Sequence, residues 1–222
     1  MQTYTTEEEQ LQILINFLKR HGVKILTVVL IVTISLLGWQ YLNKRAEKKI
    51  AHASSMYERL LIATTESDQK KLSTDLATNY RKTIYGKIAA VYLANQLVSE
   101  QKWQQAAEQY QKIYNETDSW PDLQIVILEN WLRTLIELKQ FDVALNKLSK
   151  VESKLATLYP LNFYNLKGDI LSSQDKKSEA VTAYNLALES GKGDSNTVAQ
   201  MSQFYNWITL KRNDLLEAKQ LV

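Results

Sequence analysis

LNFYNLKGDILSSQDKKSEAVTAYNLALE, residues 161–189, carries the plan of most of the chain in one stretch. Its second half reads Lys177-x2-Ala180-x3-Tyr184-x2-Ala187, with small and large apolar residues returning at three- and four-residue steps, as one face of a helix requires. The small Ala180 lets this helix lie close against the one before it, and Tyr184 and Ala187 cover the same face. Working back along the chain, Phe141-x2-Ala144-x3-Leu148-x2-Val151 and Trp103-x2-Ala106-x3-Tyr110-x2-Ile113 repeat the pattern, at offsets of 36 and 38 residues. The spacing predicts three helical hairpins. Each buries too little apolar surface alone, so neighbours must stack.

The rest of the chain agrees. Two prolines and six glycines in 222 residues leave few helix breakers, and no stretch alternates apolar and polar residues as a strand would. Pro121 and Pro160 each stand ahead of a periodic apolar run, the place for a proline in a first helical turn. Gly191 and Gly193 follow Leu188, where a helix would stop. An all-α fold is expected.

These hairpins resemble the tetratricopeptide repeat, which asks for a small residue in the first helix, an alanine twelve positions on, then an aromatic and another small residue. Residues 161–189 fit best, through Gly168, Ala180, Tyr184 and Ala187. The first unit fits with Ala94, Ala106 and Tyr110, with Trp103 opening its second helix. The second, with Phe141, Ala144 and Leu148, departs at Leu132, where a small residue is expected. Offsets of 36 and 38 exceed the ~34 usual for the repeat, implying looser packing or longer turns between units.

Near the start, Ile25 to Asn43 runs nineteen residues without a formal charge. As a helix it is roughly 28 Å long, close to the ~30 Å of a bilayer's hydrocarbon. Ile25, Leu30, Leu36 and Leu37 supply its apolar body, and Trp39 and Tyr41 sit where amphipathic rings prefer the headgroup level. Its Thr and Ser hydroxyls can bond back to the preceding turn. No small-x-small cleavage pattern follows it, so a retained signal anchor is expected rather than a cleaved leader. Ahead of it, Thr6 and Glu9 read as a capping box, and Leu11, Leu14, Ile15 and Leu18 recur at helical spacing, predicting a short amphipathic helix. Glu7, Glu8 and Glu9 suit the first turn of that helix.

Of the 27 basic and 24 acidic residues, seven and four lie in the first 49 positions, so residues 50–222 carry 20 of each and no net formal charge. The excess of +3 belongs to the flanks of the apolar run. Nucleic-acid binding would need a basic stripe, and none remains once those flanks are given to lipid headgroups. A simple count of Lys and Arg slightly favours a cytoplasmic C-terminal domain, but that bias governs short loops and a long domain crosses largely regardless of charge.

The parts divide as 1–22, an N-terminal segment; 23–43, the anchor; 44–83, a linking helical region; and 84–222, the repeat domain. In 44–83, Ala46, Ile50, Ala53, Tyr57, Leu60 and Leu61 return at helical steps, so the helix either continues out of the bilayer before breaking near Glu66-Ser67-Asp68 or folds back as the first solenoid helix.

This order of parts looks like the YfgM-type ancillary subunits of the bacterial Sec translocon. The resemblance covers nearly the whole chain and rests on GWQYLN at 38–43, YGKIAAVYLANQLV at 85–98 and LKGDILSSQDKKSEA at 166–180. It implies a single-pass inner-membrane protein, N-terminus cytoplasmic and repeat domain periplasmic. The implied partners are the SecYEG channel, a PpiD-like membrane-anchored periplasmic chaperone and exported polypeptides. A scaffold for another envelope complex, in outer-membrane assembly or cell division, is the competing reading.

Chemistry is sparse. His21 and His52 are the only histidines and there is no cysteine, so neither a metal site, a cofactor nor catalysis is expected. Gly191-Lys192-Gly193-Asp194 lacks the strand and length of a phosphate loop and reads as a turn. A partner is expected on the inner helices of the hairpins, where the repeat register places Val91, Asn95, Glu129, Arg133, Asn162, Asn165 and Asp169, beside Val98 and Ile136. Arg133 is the single cation of that set, which points to a broad, partly apolar protein surface rather than capture of a charged tail.

Overall fold

The computed structural model describes residues 7–190 and 202–220, and among these it contains helices and their connections and no strand. Thr6, the turn at 191–194 and the side chains of Glu7, Glu8, Glu9, Leu14, Leu18 and Ile25 lie outside the described residues. The chain divides into two compact units, Met1–Ser55 and Met56–Val222.

The first unit is the greater part of one helix, α1 (Glu7–Ile62). Leu30, Leu36 and Leu37 are 59 to 60% exposed, and Trp39 and Tyr41 66 and 65%. An apolar surface of that extent is matched by lipid rather than water. Among the described residues, Leu26–Ile62 is long and apolar enough to cross a membrane, and none of its apolar window is buried within the protein. Its polar groups are satisfied locally: Thr27, Thr33 and Ser35 each donate to the carbonyl four residues back, at 2.8 Å.

The second unit begins with the last turns of α1, where Met56 and Leu60 are buried and the Tyr57 ring meets Tyr85 at 5.5 Å. After a break at 63–65, Thr65 caps α2 (Glu66–Asn79) by accepting from the Asp68 N–H at 3.1 Å. The helix therefore ends at Ile62, a few residues before the expected break. Then come α3 (Ile84–Ser99), α4 (Trp103–Tyr114), α5 (Pro121–Glu137), α6 (Phe141–Lys150), α7 (Glu152–Leu158), α8 (Pro160–Ser173), α9 (Lys177–Ser190) and α10 (Ser202–Gln220). Pro121 and Pro160 open α5 and α8, where a missing N–H costs nothing.

The hairpins are α3–α4, α5–α6 and α8–α9, with α2 packed on α3 and α10 on α9. Their internal turns are identical in construction. Gln101, Lys139 and Asp175 occupy the left-handed region at φ 56°, 55° and 60°. The following N–H groups of Lys102, Gln140 and Lys176 bond back five residues, to Leu97, Leu135 and Leu171, at 2.8 to 2.9 to 3.0 Å respectively. This is the Schellman closure of a helix, carried three times by residues other than glycine. The residues in excess of the usual repeat lie between units, in the link 115–120 and in the stretch holding α7. α7 is seven residues long, too short to show a period in sequence.

Packing obeys the small-residue rule and explains its exception. Ala94, Ala106, Ala144, Ala180 and Ala187 are fully buried, and Tyr110, Leu148 and Tyr184 are at most 2% exposed; Trp103 and Phe141 are half-buried. A Cβ on Gly168 would stand 2.5 Å from the Tyr184 ring, so the ring occupies the space a side chain would need. In the middle unit the larger Leu132 and the smaller Leu148, at the positions where the third unit has Gly168 and Tyr184, are both buried in the main core. Volume is exchanged across the helix pair and the packing closes. Gly86 serves another end: a Cβ there would lie 2.2 Å from the Tyr80 carbonyl oxygen, in the turn that Thr83 ties to α3 through the Gly86 N–H at 3.1 Å.

The main core runs from Val91 on α3 to Ile170 on α8. A second cluster, Leu161, Leu171, Ala180, Ala183, Tyr184 and Ala187, is joined by Ile208 of α10, which is fully buried.

Candidate functional site

The positions one residue beyond the small-residue sites are Asn95, Arg133 and Asp169, spaced by the repeat offsets of 38 and 36. Because each follows a residue turned toward its own hairpin partner, it projects from the edge of that face, and the three come together along one cleft of about 620 Å³. α3 contributes Asn95 and Val98; α5 contributes Asn130, Arg133, Thr134, Ile136 and Glu137; α8 contributes Asp169, Ser172 and Ser173. The second helices supply Trp103, Tyr110 and Tyr184, and α10 supplies Lys211.

Two of the three positions are anchored in the same way. Tyr110 donates its hydroxyl to Asn95 Oδ1, and Tyr184 donates to Asp169 Oδ1 at 2.7 Å. Burial pushes the Tyr110 phenol up to about 12. Burial raises Tyr184 as well, with the Asp169 charge adding to the effect. Both therefore remain donors at every physiological pH. The middle unit has Leu148 in place of the tyrosine, so Arg133 has no such partner. It reaches instead to Glu129 at 2.7 Å, one turn back on α5, and lies 3.8 Å from Asp169 Oδ2. That carboxylate oxygen is buried and accepts no hydrogen bond among the described residues.

Lys211 closes one end. Its ammonium donates to Asp169 Oδ1 at 2.7 Å and Asn165 Oδ1 at 3.1 Å, and lies 5.7 Å from the Tyr184 ring centre and 5.6 Å from that of Trp207. The cleft thus holds a second cation besides Arg133, balanced by Glu137 and Asp169. Formally it is neutral.

Of the residues expected on a partner face, Asn95, Arg133, Asp169, Val98 and Ile136 line the cleft, and Glu129 borders it through Arg133. Val91, at 8% exposed, belongs to the core, and Asn165, at 1%, is buried beneath Lys211. Asn162 is half-buried and does not line the cleft. Asn130, Thr134, Glu137, Ser172 and Ser173 were absent from the expected set. For Asn130, Glu137, Ser172 and Ser173 the spacing of three and four residues from Arg133 and Asp169 was the available signal, since residues so spaced share a helix face; Thr134 stands four residues from Asn130 rather than from Arg133. Lys211 gave no such signal: it meets Asp169 across 42 residues.

Chemically, amides and hydroxyls from the first helices of three successive hairpins can bond the main chain of an extended polypeptide, while Val98, Ile136 and Trp103 offer apolar contact. Among the described residues no group of three or more His, Cys, Asp or Glu could hold a metal ion.

Comparison with known proteins agrees with this architecture. Residues 16–215 match the family described as tetratricopeptide repeat-like domain. The chain is 26% identical over 191 residues to an ancillary SecYEG translocon subunit of Escherichia coli (strain K12), covering 86% of this chain and 91% of that protein. It is 24% identical over 201 residues to an ancillary SecYEG translocon subunit of Haemophilus influenzae (strain ATCC 51907 / DSM 11121 / KW20 / Rd), covering 89% and 97%. These relatives bear out the resemblance read from the sequence. No solved structure matches the chain.

Proposed function

We propose an adaptor role at a secretion channel for this chain, which belongs to the tetratricopeptide repeat-like domain family. It is an ancillary subunit of the SecYEG translocon, held in the inner membrane by the apolar part of α1, with its N-terminus cytoplasmic and its repeat domain periplasmic. There it brings a PpiD-like membrane-anchored chaperone beside the channel and assists exported polypeptides as they emerge. Tethering raises the effective concentration of the two partners without requiring strong contacts between them. The role is one of binding, not catalysis.

The observation that carries this reading is the similarity to two ancillary translocon subunits over nearly their whole length. The cleft supports it from the side of chemistry. Arg133, Lys211 and Asp169 are already paired and the lining is formally neutral, so a charged tail gains little there, whereas lining amides and hydroxyls such as Asn95, Asn130 and Ser172 suit a neutral extended chain.

Exchanging Glu129→Arg with Arg133→Glu tests the site. The exchange keeps the pair within α5, so helicity is retained, but sets a carboxylate against Asp169 and inverts what the cleft presents. After solubilisation in mild detergent, the native chain should recover SecYEG and a membrane-anchored periplasmic chaperone, and the exchanged chain should recover markedly less chaperone. Undiminished recovery would remove the cleft from the interface. Recovery of a different envelope complex, without SecYEG, would remove the translocon assignment itself. A reporter fused after Val222 should be active only in the periplasm, and cytoplasmic activity would overturn the orientation.

A further inference from the structure

A second cleft, of about 550 Å³, lies between α2, α3 and α4 and shares no residue with the first. Ala77, Ala90, Leu93 and Leu97 are half-buried on its floor, with Ile113 buried among them. Five cations surround that floor: Lys70, Arg81, Lys102 and Lys112 are exposed, and Lys87 is buried.

Only two carboxylates line the same cleft, Glu100 and Glu116, and both are committed. Glu116 is shared by Lys87 at 2.5 Å and by Arg81. The hydrogen bond from Lys87, helped by Arg81, holds the Glu116 carboxyl below its ordinary range. Glu100 takes Lys102 at 2.6 Å, and its carboxyl is lowered by that bond, with a smaller contribution from Lys70. The balance is three positive charges in excess. Residues 50–222 carry equal numbers of acidic and basic residues, so this is a segregation of charge within a neutral domain. Charge placed in a concavity with low-dielectric walls acts further than the same charge on a flat surface.

We propose that this cleft docks an acidic segment of a partner polypeptide. Carboxylates of the segment meet Lys70 and Lys112 on the rim, with the excess of Arg81 and Lys87 over Glu116 adding to the field, and an apolar side chain between them rests on Leu93, Leu97 and Ile113. The shape favours a peptide over a lipid surface: a bilayer is met by cations standing proud of a convex face, whereas these ring a depression with an apolar floor. The site is separate from the chaperone-facing cleft and does not depend on it.

The test is fluorescence anisotropy with a labelled synthetic peptide of aspartate and glutamate flanking one leucine, titrated with the full chain in non-ionic detergent, alongside a peptide in which lysine replaces each acid. The acidic peptide should bind at least ~10-fold tighter than the basic one, and its affinity should fall by roughly 10-fold between about 50 and 300 mM salt. Lys70→Glu with Lys112→Glu should weaken it by roughly 10-fold or more, while Lys176→Glu, outside the cleft, leaves it unchanged. Should the reversed pair melt lower than the native chain, Lys70→Gln with Lys112→Gln replaces it and should still weaken binding several-fold. Equal affinity for both peptides, or indifference to the neutralised pair, overturns the proposal. So does binding that survives in phosphatidylcholine nanodiscs and vanishes in phosphatidylglycerol nanodiscs, which would give the cleft to lipid headgroups.

Discussion

Replacing Gly168 by alanine sets two physical effects against each other with opposite signs. In an exposed helix interior, Gly→Ala stabilises by about 1 kcal/mol through helix propensity. Here the new Cβ would stand 2.5 Å from Tyr184 Cε1, 2.6 Å from Cδ1 and 2.9 Å from Cζ, against a ring only 2% exposed and so unable to swing aside. Overpacking of this kind costs about 1–3 kcal/mol. Moving the ring also strains its 2.7 Å hydrogen bond to Asp169, and bonds to charged acceptors contribute about 1.5–3 kcal/mol. Packing outweighs propensity, giving a net loss of about 2 kcal/mol and a fall in Tm of about 4–8 °C. Thermal melts of the full chain in detergent, followed by circular dichroism, measure it. The middle unit supplies the partner variant, since Leu132 and Leu148 already form the large-and-small combination. Gly168→Ala with Tyr184→Leu should therefore show a favourable coupling of about 1–2 kcal/mol in a double-mutant cycle. A stabilising Gly168→Ala, or a coupling below about 0.5 kcal/mol, would refute the packing argument.

Other outcomes follow from the same geometry. Lys139→Gly relieves a non-glycine residue at φ 55°, and after the unfolded-state entropy of glycine is deducted it should raise stability by a few tenths of a kcal/mol to about 1 kcal/mol, read as a rise in urea midpoint without change in slope. Glu116→Gln strands the Lys87 ammonium, whose side chain is 6% exposed, and should cost about 2 kcal/mol in the same denaturation. The pH profile carries the matching sign. The folded chain binds the Glu116 proton less readily than the unfolded one, so its contribution is complete above the ordinary carboxylate value of 4.5 and is lost as pH falls through the lower folded value. Stability of the native chain should therefore drop more steeply below that pH than stability of Glu116→Gln; parallel acid limbs would contradict the pairing.

Much of the fold was legible because helical periodicity and repeat spacing are properties of the chain itself. The alignment of Ala106, Ala144 and Ala180 predicted the hairpins, and the same offsets reappear in the left-handed turns at Gln101, Lys139 and Asp175. Leu132 read as a defect, because sequence shows one member of a packing pair and its compensation by Leu148 appears only when both are seen buried in one core. The candidate cleft was half legible. Inner-helix register found Asn95, Arg133 and Asp169, but it could not tell that Val91 and Asn165 turn inward.

The sequence by itself determined an apolar anchor, an all-helical domain and a hairpin repeat, since each depends on residues within a few turns of one another. Only the tertiary structure decided which charges neutralise which. Lys211 reaches Asp169 through the docking of α10 on α9, and Lys70, Arg81, Lys87, Lys102 and Lys112 gather from three helices and the turns between them around one floor. Such groupings depend on distances between elements, and no local period in the chain encodes them.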